Sequence, residues 1–257
     1  MPFTFAHPAA AVPLLRPLGR FGSLSALAIG SMAPDLAFIV ALDLTREQTH
    51  CPAALFLFCL PAGALTYWLF HVLFKAPLID LMPDAIAARF CRDATRRAPW
   101  SAVLVSLLCG ALTHLLWDAF THPGTILVDA LPMLQTELAV VGGYHVYVFK
   151  VLQHGGTLLG LALIALWSIN WLRRTPVDST TRPRALSPAQ RVGAQLALAG
   201  SPLLAGLYAG CRRSAQVTNM VELQDFATGF IFTALPAGAL TLAIYSMLWK
   251  LTMARPA

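Results

Sequence analysis

Charge is the first thing this sequence lacks. Of 257 residues only 12% are Asp, Glu, Lys or Arg, while 57% are hydrophobic, a balance that excludes an ordinary soluble globular domain. It also lacks any long polar tract, and a chain so apolar offsets its ordering entropy easily, so disorder is excluded as well. Cysteine is sparse. Cys51, Cys59, Cys91, Cys109 and Cys211 are scattered, odd in number and without a CxxC pair, which gives neither a disulfide framework nor a cysteine metal site. No P-loop, no GxSxG elbow and no dinucleotide fingerprint occurs, and with them go the common nucleotide and serine-hydrolase chemistries. Acidic residues are fewer than basic ones, for a net charge of +6. The cations cluster beside apolar segments, which marks one face of a membrane rather than a nucleic-acid partner.

What the chain has instead is long apolar runs. Six stretches, 22–42, 51–74, 98–120, 151–172, 192–211 and 226–249, approach the roughly 20 residues that cross a hydrocarbon core. None contains Lys or Arg, and their only acidic residues are Asp35 and Asp118. The expected fold is therefore all-α, a polytopic membrane bundle of about six helices. The first run is too long, and residues 1–20 too apolar and proline-bearing, for a cleavable signal. The N-terminus and the second, fourth and last connections hold fourteen Lys and Arg, against four (Arg46, Lys150, Arg212, Arg213) in the others. The positive-inside rule then predicts both termini in the cytoplasm.

Residues 83–97 suit a short helix in the headgroup plane, with Ile86 and Phe90 opposite Arg89, Arg92 and Arg96. Residues 173–191 are Pro, Ser, Thr and Arg-rich and predict a flexible basic cytoplasmic linker. It separates a four-helix core, 1–172, from a C-terminal helix pair, 192–257. The heptapeptide LPAGALT occurs at Leu60–Thr66 and again at Leu235–Thr241, as an old duplication or as a coincidence of Ala- and Leu-rich composition.

Ionisable side chains at membrane depth cost roughly 2.5 to 3.5 kcal/mol each and ask for a partner. The third run reads CGALTHLLWDAFTHPG. His114, Asp118 and His122 are spaced four apart, about 40° per step, so they share one helical stripe that Pro123 and Gly124 then end. Two imidazoles and a carboxylate suit a zinc-like divalent ion with a position left for water. The alternative is a face where Asp118 merely satisfies buried polar groups. Asp35, in GSMAPDLAF, falls at the same outer end, as ligand or as partner of a buried His. His50 opens the second span, ligating or solvated. His154, in VLQHGGTLLG, lies one turn into the fourth span beside Gly155 and Gly156, which let helices approach closely. His71 is expected at the cytoplasmic interface and His145 in a loop. His7 conflicts with the topology: an N-terminus inside sets it across the membrane from this cluster. Only a hairpin of residues 5–34 that dips in and returns brings His7 to Asp35. Arg16 and Arg20 at its tip then need lipid phosphate or acidic partners.

MPFTFAHPAA, GSMAPDLAF, GALTHLLWDAFTHPG and VLQHGGTLLG, in this order, resemble the bacterial membrane family known as domain of unknown function 4184. More distantly, the order of His and Asp residues is similar to inner-membrane metal-dependent hydrolases related to zinc phospholipase C. That similarity implies metal at Asp35, His50, His114, Asp118, His122 and His154, with His7 as an N-terminal ligand. The His-x-x-x-Glu pair of those phospholipases is missing, since Leu158 follows His154, which implies one or two ions. Two functions follow. One is a membrane-embedded hydrolase in which hydroxide on the ion, assisted by Asp118 and His114, cleaves a phosphate ester of a lipid or lipid-linked substrate at the outer interface. The other is a non-enzymatic transporter or assembly factor that uses the same cluster for ion binding or helix packing.

Overall fold

The structure, a computed structural model, describes residues 3–90, 98–177 and 185–253. Among them five helices are long and apolar enough to cross a membrane. These are α2 (Leu55–Leu81), α3 (Trp100–Thr121, running with a short continuation to Ala130), α4 (Val148–Arg174), α5 (Pro188–Arg213) and α6 (Met220–Met253). The all-α expectation holds, but the first expected span, 22–42, is not one helix. It breaks into α1 (Leu24–Gly30), a 3₁₀ turn at Ala33–Asp35 and a last turn at Leu36–Ile39. Ser31 caps the first piece. Pro34, which lacks an N–H, opens the second as a first-turn proline.

Before α1 the chain descends as short turns from Thr4 to Phe21, broken by Pro8, Pro13 and Pro17. It then reverses at Gly19–Gly22, and α1 returns. This is the hairpin that the placement of His7 demanded. The count of basic residues had set all of residues 1–20 on one side. The structure separates them, with His7 at one end of the bundle and Arg20 at the other.

Two glycines hold α1 against α3. A Cβ on Gly30 would stand 2.4 Å from the Leu107 carbonyl oxygen, and one on Gly110 2.4 Å from the Leu27 carbonyl oxygen. The backbones therefore meet with nothing between them, as small residues allow in membrane helices. Leu27, Val103 and Leu107 fill the remaining space and are fully buried. A similar groove on α4 admits Trp117 over Gly156 and the Ala6 backbone over Gly160. Gly155, which the sequence offered equally, faces open space.

Helix α2 carries π-helical turns at Leu55–Cys59 and Phe70–Phe74, next to Pro61 and Pro77, whose missing N–H groups disturb the normal ladder. The C-terminal pair packs on itself, Gly206 and Gly210 of α5 lying against Phe230 and Phe226 of α6. It is tied to the core by Trp249 Nε1 donating to Asp80 Oδ2 at 2.8 Å and Gln195 Nε2 donating to the Leu81 carbonyl at 2.8 Å. Of the expected linker 173–191, Arg173 and Arg174 end α4 and a Ser187–Gln190 capping box starts α5, while 178–184 lies outside the described residues. Of the segment 83–97 expected as a headgroup-plane helix, Asp84–Phe90 is helical, and residues 91–97 lie outside the described residues.

One element has no counterpart among the sequence expectations. Strands β1 (Glu137–Val141) and β2 (Tyr144–Tyr147) pair antiparallel across Gly142 and Gly143, both at positive φ. Val, His and Tyr flanking Gly-Gly is hairpin chemistry.

Candidate metal centre

Four segments converge at one end of the bundle. The N-terminal turns bring Thr4 and His7, the 3₁₀ turn brings Asp35, a short helix Arg46–His50 brings both its ends, and α3 brings His114 and Asp118. The short helix is set by a Thr45–Gln48 capping box, which leaves Arg46 and His50, four apart, on the inward face. Asp35 and His114 are 0% exposed, and His7 and Asp118 2%.

Four donor atoms lie at coordination spacing. His50 Nε2 is 3.3 Å from His114 Nε2, 3.4 Å from Asp35 Oδ1 and 3.6 Å from Asp118 Oδ2. His114 Nε2 is 3.4 Å from Asp118 Oδ2 and 3.8 Å from Asp35 Oδ1. Ligands of a tetrahedral ion with bonds near 2.1 Å stand about 3.4 Å apart. His7 Nε2 approaches from the far side of Asp118, 3.7 Å from its Oδ1. Asp118 thus presents Oδ2 to one group and Oδ1 to His7, and two triads, His7/His114/Asp118 and Asp35/His50/His114, are each compact enough to hold an ion.

The outer hydrogen bonds fix which nitrogen faces inward. His114 Nδ1 lies 2.7 Å from the Ser31 carbonyl, which only accepts, so the proton sits on Nδ1 and the Nε2 lone pair points at the cluster. His50 Nδ1 lies 2.8 Å from Thr49 Oγ1, whose own proton points to the Thr45 and Arg46 carbonyls. Two Nε2 lone pairs therefore face each other at 3.3 Å, a contact relieved by a proton or by a metal cation between them. Burial holds the His50 imidazole below its usual pKa, so the ring is neutral and free to ligate at neutral pH. Thr4 Oγ1 donates to Asp35 Oδ2 at 2.7 Å. That leaves Asp35 Oδ1, Asp118 Oδ1 and both His7 ring nitrogens buried without a hydrogen-bond partner. Orphaned buried polar atoms cost about 1 to 3 kcal/mol each, and here they fall in two places, Asp35 Oδ1 at the His50–His114 pair and Asp118 Oδ1 opposite His7 Nε2. A cation at either triad would satisfy the atoms that face it.

Not every residue singled out in the sequence joins. His122 arrives by capping rather than as a third step of the stripe: α3 ends at Thr121 and His122 is extended. Its Nδ1 is 3.5 Å from Asp118 Oδ1 and 3.3 Å from the Asp118 carbonyl, and the Gln153 amide nitrogen lies 3.3 Å from its Nε2. With Nε2 accepting from Gln153, Nδ1 carries the proton and steadies Asp118. His154 stays out. Gln153 is the buried residue on that turn of α4, and His154, one step round the helix, is exposed. His145 pairs with Glu137 on the hairpin, 2.8 Å away.

Arg46 was legible only as one of four cations on the sparsely charged side. Its Nη2 donates to Asp118 Oδ2 at 2.7 Å, its Nη1 is buried without an acceptor, and its side chain is 26% exposed. It is the cation at the rim of the cluster. The signal for it was the Arg46–His50 spacing behind a Thr-x-x-Gln cap. Thr4 and Ser31, which orient Asp35 and His114, carried none.

No curated protein and no solved structure matches this chain. The family model described as domain of unknown function (DUF4184) matches residues 1–253, nearly the whole length, and the chain belongs to that family.

Proposed function

We propose that the protein is a bacterial inner-membrane hydrolase that uses one or two divalent ions, zinc by its His and Asp donors, to cleave a phosphate ester of a lipid or lipid-linked substrate at the outer interface. The observation that carries this reading is the His50–His114 pair at 3.3 Å, with Asp35 and Asp118 oxygens 3.4 to 3.8 Å from its nitrogens and Arg46 beside Asp118. His7 and the far oxygen of Asp118, with His114, would hold a second ion. A bound ion supplies hydroxide near neutral pH and polarises the phosphoryl oxygen. Arg46 gives the site its preference for an anion, because a guanidinium at the rim matches phosphate oxygens in geometry and charge. The distant resemblance of its His and Asp order to zinc phospholipases is what suggests the reaction class. The excess of Lys and Arg at the other end supports an outward-facing cluster.

One observation favours a second reading. The donors are deeply set, with Asp35 and His114 0% exposed, and an ion held wholly by buried protein groups is the habit of structural sites. Detergent-purified, metal-loaded protein incubated with mixed phospholipids separates the two. Release of phosphorylated headgroup by the wild type and not by His114→Ala supports the hydrolase. Stoichiometric metal with equal, negligible release from both leaves a structural ion.

A further inference from the structure

The β1–β2 hairpin stands at the metal-centre end of the bundle and supplies nothing to that centre. It is tied down at two places. At its root the Val148 N–H donates to the Thr136 carbonyl at 3.1 Å, and Tyr147 and Val148 pack on Val128, Leu134 and Phe149. At its tip a Cβ on Gly142 would stand 3.3 Å from the Met220 backbone nitrogen, and one on Gly143 3.9 Å from Val221 Cγ2. Val148 opens α4 and Met220 opens α6, both long and apolar enough to cross a membrane. Their apolar runs begin at 151 and 226, so at 1.5 Å per residue root and tip lie about 5 and 9 Å outside the hydrocarbon edge. That is the level of the headgroup layer, which adds about 5 to 8 Å on each face of the core.

The register sorts the side chains of the hairpin into two unlike faces. Val140 pairs with His145, while Ala139 pairs with Val146 and Val141 with Tyr144, and successive residues point to opposite faces. One face therefore carries His145, whose Nδ1 lies 2.8 Å from Glu137 Oε2. The other, Ala139, Val141, Tyr144 and Val146, carries no charge. Every residue of β1 is exposed, Leu138 at 57% and Val141 at 51%. A two-stranded hairpin is marginal in water on its own, and an exposed apolar strand is a liability unless something covers it.

We propose that the uncharged face docks on the bilayer surface at this end of the protein, with Val141 and Tyr144 turned toward the acyl chains and the Glu137–His145 pair toward water. Depth selects lipid over a second copy of the chain, which would have to enter the headgroup layer to reach this face. Continuity selects it too, because the exposed Val151 and Leu152 of α4 carry the apolar surface on into the span. Tyrosine is at home at this level. The docking is shallow: β1 pairs with β2 alone among the described residues, and the backbone groups on its other edge could not be satisfied in hydrocarbon. An anchor here fixes the level of the α3–α4 connection, and so of Asp118 and His122, beneath the headgroups. It serves a hydrolase and a structural ion alike.

The test places spin labels at Val141→Cys and, separately, His145→Cys in the full chain, its own five cysteines replaced by alanine, in vesicles of phosphatidylglycerol and phosphatidylcholine. Collision with oxygen, which concentrates in lipid, relative to collision with a water-soluble nickel chelate should be several-fold higher at 141 than at 145. Equal ratios overturn the proposal. So does a label at 141 shielded from both reagents, the sign of a protein neighbour such as a second copy. A second measurement keeps the native cysteines. In the same vesicles Leu138→Asp with Val141→Asp should speed hydrogen exchange over residues 137–147 several-fold with metal content unchanged, whereas Val140→Asp, on the face of His145, should not. Unaltered exchange in the double variant, or equal acceleration by Val140→Asp, overturns the proposal as well.

Discussion

The imidazole of His7 stacks on that of His114, ring centroids 3.8 Å apart and planes 17° from parallel. One ring belongs to the N-terminal turns and the other to α3, so this contact joins the hairpin to the helix that carries Asp118. Neither His7 nitrogen has a hydrogen-bond partner, whereas His114 Nδ1 is fixed on Ser31. Ion binding to the folded state alone stabilises it by about 2.7 kcal/mol at a hundredfold excess over Kd. Chelation should therefore lower the melting temperature of the wild type. His114→Ala and Asp35→Asn should lack the bound ion and show no such drop, as read by metal analysis and thermal unfolding in detergent. A wild type indifferent to chelator would remove the ion from the argument.

The glycine contact between α1 and α3 should be as sensitive as the ligands. A methyl group at Gly110 or Gly30 meets a carbonyl at 2.4 Å, and overpacking of this kind costs typically 1 to 3 kcal/mol. Gly110→Ala should lower thermal stability and also weaken metal binding, because parting the helices moves the Ser31 carbonyl away from His114. Gly155→Ala, whose added methyl faces open space, is the control and should do neither.

His122 and His154 should separate cleanly. His122 acts on Asp118 from outside the donor quartet, and loss of such an orienting group typically costs 10- to 100-fold in metal affinity rather than all of it. His154 is exposed on the outer face of α4, so His154→Ala should leave affinity unchanged. Competition of each variant with a chromogenic chelator gives both numbers. A His154 variant that loses its metal would mean that α4 turns further than this packing allows.

Much of this was readable from the sequence because membrane burial makes polar residues conspicuous. His114 and Asp118 announced themselves by spacing on one apolar helix, and Asp35 by standing in an apolar run. What failed was anything decided by backbone detail. Pro34 and Ser31 break the run at 22–42 into pieces, which a window of hydropathy averages away. His154 and Gln153 are neighbours, and only the rotation of α4, set by Gly156 and Gly160 against Trp117 and Ala6, decides which faces in. The charge count misplaced His7 because the hairpin crosses the depth of the bundle in broken turns rather than as a helix.

Arg46 supports the last prediction. Its Nη2 holds Asp118 Oδ2 at 2.7 Å while Nη1 is buried without an acceptor. Once an ion takes up the charge of Asp118, the guanidinium has less to neutralise and is available to a substrate phosphate. Arg46→Gln should therefore retain metal but lose protection by inorganic phosphate against thermal unfolding, with Arg46→Lys restoring part of it, since a lysine keeps the charge without the fork. A charge-assisted hydrogen bond contributes about 1.5 to 3 kcal/mol, so phosphate affinity should fall by roughly ten- to a hundredfold. If Arg46→Gln loses the metal as well, the arginine is a structural counter-charge for Asp118. In that case the anion preference of the site must come from the ion alone.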